Sequence, residues 1–193
     1  HTTDKLATNF GNFKYEFDNF IGGSPAKLDN VDTNIGKILA RGVRSVLSVD
    51  SNSLTDTEAI SLILDPKHNK NLAQTTGLIT LDRLSQVLNQ VNISAAVSLS
   101  FTANYQLQRH RSLNHTFPIT IPMPENIHDI VIPNLIKKDP EILAYYLKLH
   151  EDHFQKIKFL QDSGVTLSDL QYFFPNSIRI RKTISGPLGG IYH

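Results

Sequence analysis

The 193-residue sequence contains no cysteine, and it carries almost no excess of charge of either sign. The absence of cysteine excludes disulfides, thiol nucleophiles and thiolate metal sites, and it is typical of an intracellular protein. The 19 Lys and Arg residues nearly balance the 18 Asp and Glu residues, which leaves a formal net charge of +1. Because no global field attracts nucleic acid or an anionic membrane, we expect neither as a partner, and any anion site must be local.

Long apolar runs are also missing. No stretch of the sequence approaches the ~20 apolar residues needed to cross a bilayer. Hydrophobic residues nevertheless make up 40% of the chain, which is enough for one domain with a sizeable core. The sequence therefore predicts a soluble cytoplasmic protein.

Hydrophobic periodicity predicts an α+β fold, with long helices packed on a small β-sheet. Apolar residues recur at helical spacing over residues 33–48, 56–64, 81–91, 101–108 and 139–163. Alternation predicts strands over residues 13–17, 91–99 and 177–184. Residues 1–34 are polar and interrupted by glycine, so we interpret them as an N-terminal arm that precedes a single domain over residues 35–193.

Prolines, capping residues and glycines predict the structure of the remaining segments. The prolines of residues 115–134 predict an extended connection. Ser168 and Asp169 are typical caps for a short helix that runs to Phe173. The glycine-rich stretch Gly186–Gly190 lacks the lysine of a phosphate-binding P-loop, so it is interpreted as a turn.

Two histidines form the most visible metal candidate. His150 and His153 lie three positions apart on the predicted long helix, so both could face one ion. The spacing is not that of H-E-x-x-H, and no third ligand is evident. We therefore prefer a solvated or packed helix face and predict no metal site. No G-x-S-x-G elbow is present either, so no catalytic residue is assigned.

The basic triplet Arg109-His110-Arg111 has two open interpretations. Cations at the end of a helix offset its dipole, and most such groups face water. Arginine is also the residue best suited to a bidentate grip on phosphate oxygens. From the residues alone, both interpretations stand.

The triplet and its flanks resemble the signature of the flavin-dependent thymidylate synthases (ThyX). Residues 106–111, Gln-Leu-Gln-Arg-His-Arg, match the front of the family's Q-L-x-R-H-R motif. Residues 82–89 correspond to its G-H-x-S-x-x-E-H motif, of which Ser85 is retained. Residues 164–175 are similar to its G-x-x-x-E-D-A-R-Y-x-L-P segment, and residues 185–193 to its T-G-N-L-R-A-W-R-H segment.

The resemblance implies a ThyX-like single domain that lacks the last helix of the family. It further implies a cytoplasmic homotetramer that binds FAD, takes NADPH as reductant, and methylates dUMP to dTMP with methylenetetrahydrofolate. The cofactor-binding residues it implies are Ser85, Arg109, His110 and Arg111. The substrate-binding residues it implies are Gln106, Arg109, Arg111 and Gln171.

Several family positions carry different residues in this sequence. The differences fall on Arg83, Leu88, Asn89, Asn114, Thr116, Phe117, Ile119, Ile121, Gln171, Pro187 and Gly189. They leave open an alternative of another class, which is a catalytically degenerate ThyX-like scaffold or partner domain that assembles with an intact copy.

Overall fold

The structure is a computed structural model that describes residues 2–30, 33–72, 81–118 and 129–191. These residues form the helices α1 (Thr2–Ile21), α2 (Ile35–Leu47), α3 (Asp56–Leu64), α4 (Phe101–Leu107), α5 (Asn134–Lys137), α6 (Pro140–Asp162), α7 (Leu167–Leu170) and α8 (Leu188–Ile191). They also form the strands β1 (Ala26–Asn30), β2 (Asn92–Ser100), β3 (Asn114–Thr116) and β4 (Arg179–Pro187). The strands make one sheet in the order β1-β2-β4-β3, which confirms the α+β prediction.

The chain divides into two compact units. Unit 1 comprises residues 1–26, 97–107 and 117–182, and unit 2 comprises residues 27–96, 108–116 and 183–193. Strands β1, β2 and β4 each contribute residues to both units. No helix in the described part of the chain is long and apolar enough to span a membrane.

Unit 2 is built on the pair α2 and α3. Both helices follow the prediction, because their apolar residues recur at three- and four-residue spacing. Thr55 and Glu58 form a reciprocal capping box that fixes the first residue of α3. The core of the unit consists of Leu39, Ala40, Val43, Ala59, Ile63, Val87, Leu88 and Val91.

Unit 1 has its core beside α6, the longest helix. Asp139 accepts hydrogen bonds from the backbone N–H groups of Glu141 and Ile142, and Pro140 stands in the first turn. Phe154 and Ile157 of this helix are buried with Ile130 and Leu170. Ile178 and Ile180 form a second small cluster.

Residues 13–17 are not a strand. They belong to α1, in which Phe13 and Phe17 lie one turn apart with their ring centroids 5.7 Å from each other. Asp18 on the same helix receives two hydrogen bonds from Arg181, at 2.7 and 2.8 Å. The arm predicted from composition therefore begins with an ordered helix that is tied to β4.

Other boundaries also differ from the predictions. The third predicted helix is only a short 3₁₀ helix, Ser85–Gln90. Thr166 caps α7 through the N–H of Asp169, so Ser168 is not the cap. The glycine-rich stretch is not a turn, since β4 extends to Pro187 and α8 follows at once. The predicted extended connection falls largely on residues 119–128, outside the described residues.

The ion pair of Asp18 predicts a pH-dependent contribution to stability. The hydrogen bonds from Arg181 hold the pKa of Asp18 below its usual value, so the pair stabilises the fold above that usual value. We expect Asp18→Asn to lower the free energy of unfolding by about 1 kcal/mol at pH 7, since the carboxylate is partly exposed. The difference should vanish as the pH falls through the folded-state pKa. Urea unfolding at pH 7 and below pH 3 measures both values.

Glu16→Gln is the matched control, because Glu16 is an exposed carboxylate on the same helix. This substitution should leave the free energy of unfolding unchanged at both pH values. Equal effects of the two substitutions would contradict a specific role for Asp18.

Candidate functional site

The basic triplet lies in a turn of unit 2 that directly follows α4 and leads into β3. Arg109, His110 and Arg111 are all exposed. The turn closes locally, because the N–H of Leu113 donates to the carbonyl of His110 at 3.1 Å, and Leu113 is buried beneath it. The sequence therefore presents three adjacent side chains to solvent on an anchored turn.

The guanidinium groups of Arg109 and Arg111 are not used by the fold. Within the described ranges, neither has a hydrogen-bond or ion-pair partner. In contrast, Arg44 of the same unit donates to Asp56 at 2.5 Å and to the carbonyl of Leu54 at 2.7 Å. Free guanidinium donors can hold phosphate oxygens without first breaking a protein contact.

The turn packs against the glycine-rich segment at the end of the chain. Ser112 donates from its hydroxyl to the carbonyl of Gly190 at 3.3 Å. A Cβ atom added to Gly190 would lie 2.9 Å from the Ser112 side chain, and one added to Gly186 would lie 2.9 Å from the Ser112 carbonyl. These glycines are required by close packing on the turn, which the sequence alone did not indicate.

The glycine-rich segment also contacts the 3₁₀ helix Ser85–Gln90 and the residue that follows it. A Cβ atom on Gly189 would collide with the side-chain oxygen of Asn89. The N–H of Leu188 donates to the carbonyl of Val91 at 2.8 Å. Unit 2 therefore brings together three of the segments that the sequence analysis singled out, namely residues 82–89, 109–111 and 185–191.

Ser85 lies inside this unit and is fully buried. Its hydroxyl is hydrogen-bonded to the carboxylate of Asp82, and it accepts a hydrogen bond from Asn69 at 3.0 Å. Burial alone would raise the pKa of Asp82, but the hydrogen bonds from the hydroxyl and N–H of Ser85 outweigh it and lower that pKa. Ser85 is thus placed where it fixes the start of the 3₁₀ helix.

A cavity of about 410 Å³ lies at the start of β2 in unit 2. Its lining combines aliphatic side chains with neutral amides and hydroxyls, which are Ile38, Gln90, Val91, Asn92, Ile93, Ser94 and Ser185. Ser185 pairs with Asn114 in the antiparallel ladder of β3 and β4. Since Asn114 is three positions from Arg111, their Cα atoms lie within about 10 Å of each other. One residue of the cavity lining therefore pairs with the strand that the basic turn leads into.

The two predicted glutamine sites belong to unit 1. Gln106 is exposed on α4, and Gln171 is half-buried at the start of the 3₁₀ helix Gln171–Phe173. Each offers an amide that can donate and accept hydrogen bonds.

The histidine pair of α6 is committed to protein contacts. His150 is hydrogen-bonded through Nε2 to the Ser177 hydroxyl at 2.6 Å and through Nδ1 to the Tyr146 carbonyl at 2.9 Å. His153 is hydrogen-bonded to the carbonyl of Phe173 at 2.6 Å. No cluster of three metal-ligating side chains occurs in the described part of the chain. The two histidines therefore lie on a helix face that packs on Ser177 and the backbone of Phe173.

Comparison with solved structures places this architecture in a known class, the ThyX-like α+β fold. No family model matches the sequence, and no curated protein does. Thymidylate synthase X (ThyX) from Helicobacter pylori, solved with FAD and dUMP, is 14% identical, with a TM-score of 0.60 over 86% of this chain and 79% of that one. Another structure of the flavin-dependent ThyX of Helicobacter pylori, complexed with FAD and dUMP, is 16% identical, with a TM-score of 0.58 over 87% of this chain and 81% of that one.

The close contact between Gly190 and Ser112 predicts that a side chain added at residue 190 will destabilise the fold. We expect Gly190→Ala to lower the free energy of unfolding by about 1–3 kcal/mol, because the new methyl group overpacks the site. Ser112→Gly in the same chain should restore most of that loss, since it removes the atoms that the methyl group meets. Urea unfolding at pH 7 measures each value.

Gly11→Ala is the control, because no atom outside its own helix lies within 4 Å of an added Cβ there. In the interior of α1 this change should raise stability by about 0.5–1 kcal/mol. A Gly190→Ala variant as stable as the parent would show that the segment does not pack on Ser112.

Proposed function

We propose that this chain is a divergent flavin-dependent thymidylate synthase-like protein that binds FAD and dUMP at the basic turn of unit 2. The observation that carries the proposal is the pair of free guanidinium groups, Arg109 and Arg111, on an anchored turn in a ThyX-like fold. The Helicobacter pylori proteins of this fold were solved with both ligands. Both ligands carry phosphate groups, which suit these donors.

The donor set fits phosphate in charge and in geometry. Arginine keeps its charge at any physiological pH and presents a planar fork of N–H groups. Each hydrogen bond to a charged partner contributes about 1.5–3 kcal/mol. Arg109, His110 and Arg111 would hold phosphate oxygens in this proposal, while Ser85 keeps the neighbouring 3₁₀ helix in place through Asp82.

The ring of the nucleotide or flavin would occupy the cavity at the start of β2. Gln90 and Asn92 offer amide donors and acceptors that can pair with the polar edge of a pyrimidine, and Ile38 and Ile93 offer apolar surface to its faces. The ThyX motif has Asn and Arg where this chain has Pro187 and Gly189, whose side chains make no hydrogen bonds. In this proposal the amides of Gln90 and Asn92 provide hydrogen bonds to the ligand instead.

The bound flavin would supply the redox chemistry, with NADPH as its reductant and methylenetetrahydrofolate as the source of the methylene carbon. The chain's own residues would bind and orient the ligands. In this proposal the protein acts in the cytoplasm as a homo-oligomer, with a ThyX-like domain over residues 35–193 preceded by the segment 1–34.

Removal of either free guanidinium group should weaken ligand binding. We expect Arg109→Ala and Arg111→Ala each to raise the Kd for dUMP or FAD about tenfold or more, because each change removes a charge-assisted hydrogen bond. Isothermal titration calorimetry on the purified chain measures the Kd, and circular dichroism confirms that each variant is folded.

Arg41→Ala is the matched control, since Arg41 is another exposed arginine of unit 2 whose guanidinium has no partner among the described residues. Its effect on the Kd should stay below about twofold. The proposal would be overturned by a wild-type chain that binds neither FAD nor dUMP, or by an equal loss in all three variants.

A further inference from the structure

Helix α6 of unit 1 has three distinct faces. One face packs inward and buries Phe154 and Ile157. A second face is exposed and has no large apolar residue, and it consists of Glu141, Ala144, Lys148, Glu151, Gln155, Lys158 and Asp162. Between them runs a third row, here named the α6 stripe, which consists of Ile142, Tyr145, Leu149, Asp152, Lys156 and Phe159.

The apolar members of the α6 stripe are unusually exposed for their size. Ile142 is 52% exposed, Tyr145 65%, Leu149 48% and Phe159 70%. The hydrogen bond from His153 to the carbonyl of Phe173 holds another exposed aromatic residue beside the same helix. A contiguous apolar surface of this kind marks an interaction site more often than a solvated face.

The spacing of the α6 stripe is that of a coiled-coil seam. Its members follow one another at intervals of three, four, three, four and three residues, which are the a and d positions of a heptad. A groove of about 350 Å³ opens on the stripe and is lined by Asp152, Gln155, Lys156 and Phe159. The stripe therefore has the period that a second helix would match, and the groove lies at its C-terminal half.

The charges of the stripe indicate which helix that is. Asp152 and Lys156 lie two positions on either side of Phe154, and Leu149 and Phe159 lie five positions on either side. An antiparallel copy of α6 with its two-fold axis at Phe154 therefore sets Asp152 against the partner's Lys156. The same register sets Leu149 against the partner's Phe159.

We propose that the α6 stripe is a homodimer interface, in which two copies of α6 pack antiparallel about a two-fold axis at Phe154. A parallel pair would instead set Asp152 against the partner's Asp152, which is repulsive. The antiparallel register shifted by one heptad would set Asp152 against the partner's Leu149 and leave the charge unpaired. The proposed register pairs Asp152 with Lys156 and Leu149 with Phe159, and it leaves Ile142 and Tyr145 beyond the overlap of the two helices.

Two single charge reversals and their mixture test this interface. Asp152→Lys should weaken self-association at least ~100-fold, because it sets Lys against the partner's Lys156 in both symmetric pairs. Lys156→Asp should do the same through paired carboxylates. When the two variants are mixed, every pair across the axis is again of opposite charge, so a heterodimer should form at the wild-type Kd. Native mass spectrometry and sedimentation velocity on the full chains measure the three states.

Recovery on mixing also shows that each variant is folded. Glu151→Lys is the control, because it makes the same charge change one residue away on the polar face and should leave the dimer intact. A wild-type chain that stays monomeric at high micromolar concentration would overturn the proposal. Variants that do not recover on mixing, or a control as disruptive as Asp152→Lys, would overturn it as well. None of these outcomes bears on nucleotide binding, which the calorimetric test addresses separately.

Discussion

A buried cation on β4 imposes the constraint on which unit 1 depends. Arg181 is only 4% exposed, and a buried charge is tolerated only when it is paired and hydrogen-bonded. Its guanidinium donates to Asp18 of α1 and, at 2.8 Å, to Asp129, which Lys14 also approaches. Burial alone would lower the pKa of Arg181, but these hydrogen bonds outweigh it and raise the pKa. One strand residue thereby fixes the N-terminal helix and the segment that begins at Asp129.

The arginines of this chain fall into two groups according to whether the fold uses them. Arg44, Arg179 and Arg181 each donate to carboxylate, carbonyl or hydroxyl oxygens of their own unit. Arg109 and Arg111 do not, within the described residues. An unpaired surface arginine is ordinary in itself, and what distinguishes these two is their turn, which packs on the terminal glycines and leads into the strand that pairs with a residue of the cavity lining. That setting is the reason for assigning them to a ligand.

Local signals sufficed to predict the elements that carry strong periodicity and clear caps. Helices α2, α3 and α6 begin and end close to their predicted bounds, because repeated apolar spacing and the caps Thr55 and Asp139 act within a few residues. Helix α1 was missed because five alternating residues, 13–17, fit a strand, while its decisive contact joins Asp18 to a residue 163 positions away. Ile142 and Leu149 recur at the same helical spacing as the core residues of α6 but are exposed, because periodicity cannot tell which flank of a helix meets its own core.

The candidate site was predictable only in part. The Gln106–Arg111 motif drew attention to the turn, but whether its guanidinium groups are paired depends on side chains from distant segments. The terminal glycines were interpreted as a turn, since their closeness to Ser112 and Asn89 exists only in three dimensions. The buried position of Ser85, between Asp82 and Asn69, is likewise a tertiary outcome that sequence spacing does not encode.

The central claim is that Arg109 and Arg111 hold the phosphate groups of a nucleotide. A crystal structure of the chain grown with FAD and dUMP tests it most directly. The account predicts electron density for a phosphate whose oxygens lie within hydrogen-bond distance of both guanidinium groups. Density for either ligand elsewhere, with both guanidinium groups facing bulk solvent, would contradict it.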